Sequence, residues 1–357
     1  MRARAAITDG NASFRIVDLE VGDPQRDEVR VRVMASGVCH TDHKQLGNGK
    51  RRILGHEGAG VVESVGPGVI QVKPGDRVLL NWAMPCGDCF QCDRGAESLC
   101  EKKPSVPAER FVCEGKPIRP NFDLGTMSTL TVVPRQAVTK IEVDVPFASA
   151  CIVGCGVMTG VGTVLNAAKM AEGGSAVVLG TGGVGLSVIQ GCRIAGAKKI
   201  IGVDLNPKRL EMARAFGATD TIQSDPGESG IWKSAGQVKS LTGGRGADYA
   251  FECMSVPELG WAPLAMVRHG GTAVGVSGIE QPVTMNFELW EWDKTYINPL
   301  YGQCRPTIDM PKLLWYYAEG ELKLDEMVTK TYPLEGLGQA FEDMLAGRNA
   351  KGVLVLE

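Results

Sequence analysis

Ser175-Ala176-Val177-Val178-Leu179-Gly180-Thr181-Gly182-Gly183-Val184-Gly185 is the stretch on which the fold turns. After Ser175 its next four residues, Ala176 to Leu179, are apolar, with β-branched Val177 and Val178 at the centre, and suit a short strand buried on both faces. The helical segment Gly183 to Ala197 follows at once. Between them lies G-x-G-x-x-G, in which Gly180 permits a tight turn, Gly182 lets a pyrophosphate approach the backbone, and Gly185 lets helix and strand pack closely. Gly183 and Val184 complete the turn, and the helix N-terminus then faces the phosphate charge. Glycine is abundant here, with 46 copies, so context carries the reading. Nineteen residues past Gly185 the next strand, Lys199 to Asp204, ends in an acidic residue. Asp204 there accepts hydrogen bonds from ribose hydroxyls and repels a 2′-phosphate, which favours NAD over NADP. Two features stand against it: Lys208 and Arg209 lie just beyond and suit a 2′-phosphate or a solvated helix face, and Asp204 also suits a plain helix cap before Asn206-Pro207.

Outward from this motif the pattern repeats. A helix reads over Pro207 to Ala218, and buried strands read over Ala247 to Cys253 and Gly271 to Val276. Strands alternating with helices mean a doubly wound parallel sheet. The first 150 residues differ, with short strands at Glu28 to Val38, Gly58 to Gly66 and Val72 to Leu80 between Gly and Pro punctuation. The last part reads as two helices and a final strand that returns to the first domain. The expected organisation is an α/β protein, with residues 1–156 and 298–357 forming a β-rich domain and 157–297 the dinucleotide domain. The chain of 357 residues is 22% charged with net charge −3. That balance gives no nucleic acid and no anionic membrane as partner. No apolar run is long enough to cross a bilayer, and no signal-peptide core follows Met1 to Asp9. The expectation is a cytoplasmic protein.

Eleven cysteines, an odd number, argue against a disulfide framework. Cys86, Cys89, Cys92 and Cys100 form C-x2-C-x2-C-x7-C, the spacing of a closed tetrahedral zinc site; an iron–sulfur cluster is the alternative. Cys113, Cys151, Cys192, Cys253 and Cys304 show no partner pattern and read as plain thiols, His269 as a surface histidine, and Met127 and Leu130 as core. Cys39, His56 and Cys155 would make a Cys2His catalytic zinc set, but each by itself reads equally as a buried core residue.

The motifs GVCHTD (Gly37 to Asp42), GHEGAGVVESVG (Gly55 to Gly66), PGDRV (Pro74 to Val78), the four-cysteine lobe, GCGVMTGVG (Gly154 to Gly162), GTGGVGLSVIQG and IIGVDLN occur in one order. In these the chain resembles the zinc-containing medium-chain alcohol dehydrogenases, nearest the branch of the animal alcohol dehydrogenases and thiol-dependent formaldehyde dehydrogenases. The resemblance runs from about residue 5 to the C-terminus. It implies a GroES-like catalytic domain beside the Rossmann domain, two zinc ions per chain, and hydride transfer between an alcohol and NAD. It assigns Cys39, His56 and Cys155 to the catalytic zinc and the four-cysteine lobe to a structural zinc. Glu57 matches the acidic residue behind the metal, and Asp42 the carboxylate that orients the ligand histidine. Thr41 matches the hydroxyl that receives the alcohol proton. His40 matches a basic position at the cofactor pyrophosphate, Thr159 a residue beside the nicotinamide, and Trp82 an aromatic of the substrate pocket or a core residue. It also implies a homodimer joined through Thr295 to Tyr301.

The chain departs from the family after Cys39. His56 follows His40 by only sixteen residues, and the intervening loop carries Lys44, Lys50, Arg51 and Arg52. Lys44 stands where the proton relay ends in relatives; His43 or solvent are the alternatives, and Lys44 would need burial to serve. The basic loop suits an anionic substrate, or is simply solvated. Reduction of a conjugated imine or enal on the same fold is a second reading of the activity, and a non-catalytic binding protein a third.

Overall fold

The computed structural model describes residues 1–356. They form two compact units, Met1–Cys155 together with the chain from Arg305 onward, and Gly156–Cys304. Residues 298–304 stay with the second unit because Gly302 lies backbone to backbone against Gly162 and Met158.

The first unit is β-rich. Its organising strand is Glu28–Gly37, whose alternating valines bury one face. Gly58–Val65 pairs antiparallel along one edge, with Ser36 opposite Gly58. Along the other edge Leu130–Pro134 pairs with the first half and the C-terminal strand Lys351–Val355 with the second, Gly37 facing Val353. The final strand does return to the first domain. A second sheet, built on Arg2–Thr8 and Phe14–Val21, includes the short parallel pair Arg52–Ile53 and Arg119–Pro120.

The second unit is a six-stranded, all-parallel sheet in the order Asp220–Gln223, Lys199–Asp204, Ser175–Leu179, Ala247–Glu252, Val267–Gly275, Thr295–Ile297. Its core strands are apolar on both faces because helices cover both. The strand expected from Gly271 begins earlier, at Val267, and takes in the exposed His269. Both fold expectations hold: a β-rich domain and a doubly wound sheet. No single helix among the described residues is long and apolar enough to cross a membrane.

Asp343 anchors the end of the chain. It lies in the helix Leu337–Leu345 and accepts from Lys330 Nζ (2.6 Å), the Tyr332 hydroxyl (2.6 Å), Arg348 Nε (2.6 Å) and Gln339 Nε2 (2.9 Å). Lys330, then Tyr332 and Arg348, hold its carboxyl well below the usual aspartate range. A carboxyl depressed by folding stabilises above its unfolded pKa of about 4, and that contribution is lost as pH falls below it. Asp343→Asn therefore lowers Tm at pH 7 and flattens the fall of Tm between roughly pH 5 and 2. An acid slope equal to that of the wild type, in a calorimetric pH series, would contradict this.

Candidate active site and metal centres

The chain leaves the strand Glu28–Gly37 at Val38, whose N–H donates to Gly352 O. Cys39 is extended, and its carbonyl accepts the first N–H groups of the helix His40–Gln45. That short helix carries four of the expected residues. His40 is exposed, Thr41 half-buried, Asp42 fully buried and Lys44 exposed. The exposure of Lys44 removes the burial on which its place in a relay depended. His43 is half-buried, with its ring 5.4 Å from that of Phe341.

Asp42 Oδ1 lies 3.0 Å from His56 Nδ1 and accepts the Gly55 N–H at 3.2 Å. The imidazole is thereby fixed with Nε2 pointing the other way, 3.3 Å from Cys155 Sγ. Cys155 follows a 3-10 turn, Ile152–Gly154, and Gly154 is pressed against Leu80 O and the Glu57 backbone. A Cβ on Gly154 would crowd the Leu80 carbonyl, so glycine lets the chain pack closely just ahead of Cys155. Cys39, His56, Glu57 and Cys155 each offer one ligand atom, and these atoms all lie within 4.8 Å of one another.

Glu57 is held by a residue that the sequence did not single out. Lys351 Nζ sits 2.6 Å from Glu57 Oε1 and 3.2 Å from Val38 O. The lysine side chain is 11% exposed and the glutamate 0%. Pairing of the last strand with Glu28–Gly37 brings them together across 294 residues. Gly37 is required here, since a Cβ on it would run into the Glu57 carboxylate. A second unheralded residue is Phe122, whose ring lies 5.0 Å from that of His56 and 5.6 Å from that of Trp82. Trp82 is half-buried, with Lys103 Nζ 5.0 Å from its ring.

The electrostatics suit a cation. The hydrogen bond from the Cys155 thiol, and His56 after it, hold Cys39 well below the ordinary thiol range despite burial; Cys155 moves the opposite way. Burial works against the His56 imidazolium, yet Asp42 and Cys39 outweigh it and raise its pKa well above the ordinary value. Burial pushes Glu57 up to about 7 against the pull of Lys351. Asp42 Oδ2 and Glu57 Oε2 are buried without a hydrogen-bond partner. A tetrahedral zinc with bonds of about 2.0 and 2.3 Å sets its imidazole nitrogen and thiolate about 3.5 Å apart, close to the spacing found. The donor set fits zinc.

The four-cysteine lobe fits it as well. Cys86 and Cys92 sulfurs are 4.0 Å apart, and Cys89 and Cys100 sulfurs 3.9 Å. Two zinc–thiolate bonds of about 2.3 Å at the tetrahedral angle require about 3.8 Å. With four thiolates no coordination position remains open.

In the second unit Gly180 is left-handed (φ +85°) and donates its N–H to Val203 O. Gly182 faces open space, whereas a Cβ on Gly185 would meet Gly180 O. Gly183 and Val184 open the helix Gly183–Ile194. Thr159 lies half-buried on the helix Gly156–Gly162, which packs backbone-close on the fingerprint helix because Gly160 meets Val184 O and Ser187. Asp204 Oδ2 accepts from Thr181 N (2.8 Å) and Oγ1 (3.2 Å), and Oδ1 accepts from Asn206 N (2.9 Å). Asn206, not Asp204, caps the helix Pro207–Phe216, by accepting from Lys208 N. Arg209 Nη1 leans to 3.9 Å from Asp204 Oδ2.

Residues 25–143 match the family of the alcohol dehydrogenase GroES-like domain, and residues 183–313 that of the zinc-binding dehydrogenases. The alcohol dehydrogenase class-3 of Myxine glutinosa is 36% identical over 374 aligned residues, spanning 100% of this chain and 98% of its own. The chain belongs to the zinc-dependent alcohol dehydrogenase family. The S-(hydroxymethyl)glutathione dehydrogenase of Paracoccus denitrificans is 34% identical over 99% of this chain and 100% of its own. Among solved structures, an alcohol dehydrogenase zinc-binding domain protein from Burkholderia ambifaria superposes with TM-score 0.90 at 30% identity, covering 100% of this chain and 99% of the other. Benzyl alcohol dehydrogenase from Acinetobacter calcoaceticus does so with TM-score 0.90 at 27% identity, each chain fully covered. As a member of this family the chain is an oxidoreductase of alcohols and their carbonyl products that uses NAD and binds zinc.

Proposed function

We propose that Cys39, His56 and Cys155 hold the zinc at which an alcohol is oxidised by NAD+, with Cys86, Cys89, Cys92 and Cys100 holding a second, structural zinc. The observation that carries this is the convergence of two thiols and an imidazole, the latter oriented by Asp42, in a chain that also bears the dinucleotide fingerprint. When bound, zinc supplies a Lewis acid that lowers the pKa of an alcohol, and NAD+ accepts its hydride. The balance is alcohol plus NAD+ to carbonyl plus NADH and a proton.

The chain's residues supply the rest. Thr41 Oγ1, two residues past the ligand Cys39, would accept the alcohol proton as it hands its own toward the cofactor ribose, and with Lys44 exposed the proton would leave from there to solvent. Asp42 keeps His56 Nε2 directed at the metal. Glu57 waits behind it, tethered by Lys351. His40 meets the cofactor pyrophosphate, Thr159 flanks the nicotinamide, and Trp82 borders the substrate. Gly180, Gly182, Gly183, Val184 and Gly185 cradle the pyrophosphate. Asp204 receives the ribose hydroxyls, and Arg209, leaning on Asp204, has its charge partly offset, which favours NAD over NADP. The retained Thr41 favours alcohol chemistry over reduction of a conjugated imine or enal. A homodimer in the cytoplasm completes the reading, since Thr295–Ile297 is the outer strand of the parallel sheet and exposed Phe287 and Trp292 lie near it in sequence.

The test joins metal analysis to a substrate screen. Two zinc per chain, NAD+ reduction by primary alcohols, and at least about a tenfold lower rate with NADP+ are expected, in a species that light scattering sizes as a dimer. Two bound zincs with no turnover of any alcohol would overturn the activity assigned.

A further inference from the structure

The basic loop that follows Cys39 does not behave as one cluster. Arg51 is spent on carboxylates: it meets Asp9 at 3.2 Å and Glu114 at 3.0 Å, and Glu114 also takes Arg15. Arg52 goes elsewhere. It is the direct cross-strand partner of Arg119 in the parallel pair Arg52–Ile53 with Arg119–Pro120. Like charges set opposite one another on neighbouring strands destabilise a sheet. Among the described residues no carboxylate closes to ion-pair distance on either guanidinium. Arg52 Nη1 donates instead to the Arg51 carbonyl.

Asp123 is an acid on which Arg119, Arg52 and Lys103 all act electrostatically. Asp123 and Phe122 are successive non-glycine residues in the left-handed region, at φ 55° and 53°. Strain of that kind persists where the surroundings impose it, and it clusters at ligand sites. It delivers the Phe122 ring to His56. From the proposed zinc ligand outward the contacts run His56 to Phe122 (5.0 Å), Phe122 to Trp82 (5.6 Å) and Trp82 to Lys103 (5.0 Å). Asn121, next in the chain, is buried with Nδ2 unpaired, and an unpaired buried donor is costly unless a ligand acceptor meets it. Two aromatic rings thus run from an imidazole at the metal to Lys103, and the residue that follows Phe122, Asp123, is within electrostatic reach of Arg52 and Arg119.

We infer that the substrate of the zinc site is an aromatic alcohol bearing an anionic group, its ring against Phe122 and Trp82 and its charge met by Arg52 and Arg119 with Lys103 beside them. Flat rings stack favourably on such a pair, and guanidinium groups bind carboxylates in bidentate fashion. The inference rests on the zinc-site reading above and narrows its substrate class.

The experiment compares kcat/KM for 4-(hydroxymethyl)benzoate and its neutral analogue 4-(hydroxymethyl)benzamide, using the zinc-loaded full-length enzyme and NAD+. The wild type should prefer the carboxylate by about tenfold or more, chiefly through KM, with the preference shrinking at high salt. In Arg52→Gln/Arg119→Gln the ratio should fall to near one, while Arg51→Gln, whose partners are Asp9 and Glu114, should keep it. Should the double variant not fold, competitive inhibition of the wild type by benzoate against benzamide reads the same preference. A wild-type ratio at or below one, or a ratio that the double variant leaves unmoved, overturns the inference while oxidation of the benzamide leaves the zinc-site reading standing. If neither alcohol nor any other is oxidised with both zincs bound, that reading falls too.

Discussion

Cys155→Ser should leave one zinc per chain where the wild type binds two, and lower kcat/KM by roughly a thousandfold or more with little change in Tm. The metal supplies several kcal/mol of stabilisation to the charge that develops on the alcohol oxygen, which corresponds to roughly three or more orders of magnitude in rate. Serine keeps the shape of Cys155 but is a poor zinc ligand, so the site loses its metal while the fold around it stays. The matching change in the lobe, Cys92→Ser, should also leave one zinc but act on folding. A closed thiolate site contributes its binding energy to the folded state. Metal content, kcat/KM and Tm measured on both variants separate the two roles. Retention of two zincs and full activity by Cys155→Ser would sink the assignment of the catalytic site.

At pH 8, where Glu57 is mainly ionised, Lys351→Met should destabilise the zinc-loaded protein by about 3–5 kcal/mol, the usual cost of stranding one partner of a buried ion pair. Glu57 is fully buried, and Lys351 is the cation that meets it, at 2.6 Å. Burial works against the Lys351 ammonium, but Glu57 and the two active-site thiols hold its pKa above the ordinary lysine value. Lys351 therefore stays charged across the physiological range, while Glu57, pushed up to about 7 by burial, is ionised mainly on the alkaline side of it. Lys351→Met/Glu57→Gln should recover most of the loss, because removing both charges abolishes the stranded one. Urea unfolding of the three variants measures this. A single-variant cost below about 1 kcal/mol would mean that water or the metal, rather than Lys351, compensates Glu57.

Cys155 and Lys351 differ in how they are marked in the sequence. Cys155 stands in a motif, GCGVMTGVG, whose preceding glycine has a visible reason: a Cβ on Gly154 would crowd the Leu80 carbonyl just ahead of the thiol. Asp42 and His56 stand in motifs as well, and their 3.0 Å contact follows from a short helix and a short loop. Lys351 is in no motif. Its role comes from the register that sets Gly37 opposite Val353, and a lysine near a C-terminus otherwise reads as a surface charge. Phe122 was unreadable for another reason. Nothing in Asn121-Phe122-Asp123 forces a phenylalanine into the left-handed region; the packing against His56 and Trp82 does that.

The loop Lys50 to Arg52 shows the same division. Composition marked it as basic and suited to an anion. Strand pairing then separated its members, spending Arg51 on Asp9 and Glu114 and setting Arg52 beside Arg119. Lys44 also changed meaning once its exposure was known.

By itself the sequence determined the class of protein: a doubly wound sheet with its fingerprint, a lobe of four cysteines at zinc spacing, and the motifs carrying Cys39, His56 and Cys155. Those features are local, set by glycine geometry, thiolate spacing and strand–helix periodicity over a few to some twenty residues. Only the tertiary structure decided how Glu57 is neutralised, what lies against His56, and where the positive charge of the short loop goes. Those depend on contacts between residues tens to hundreds of positions apart, whose register is fixed by burial of whole strands and leaves no mark on the residues themselves.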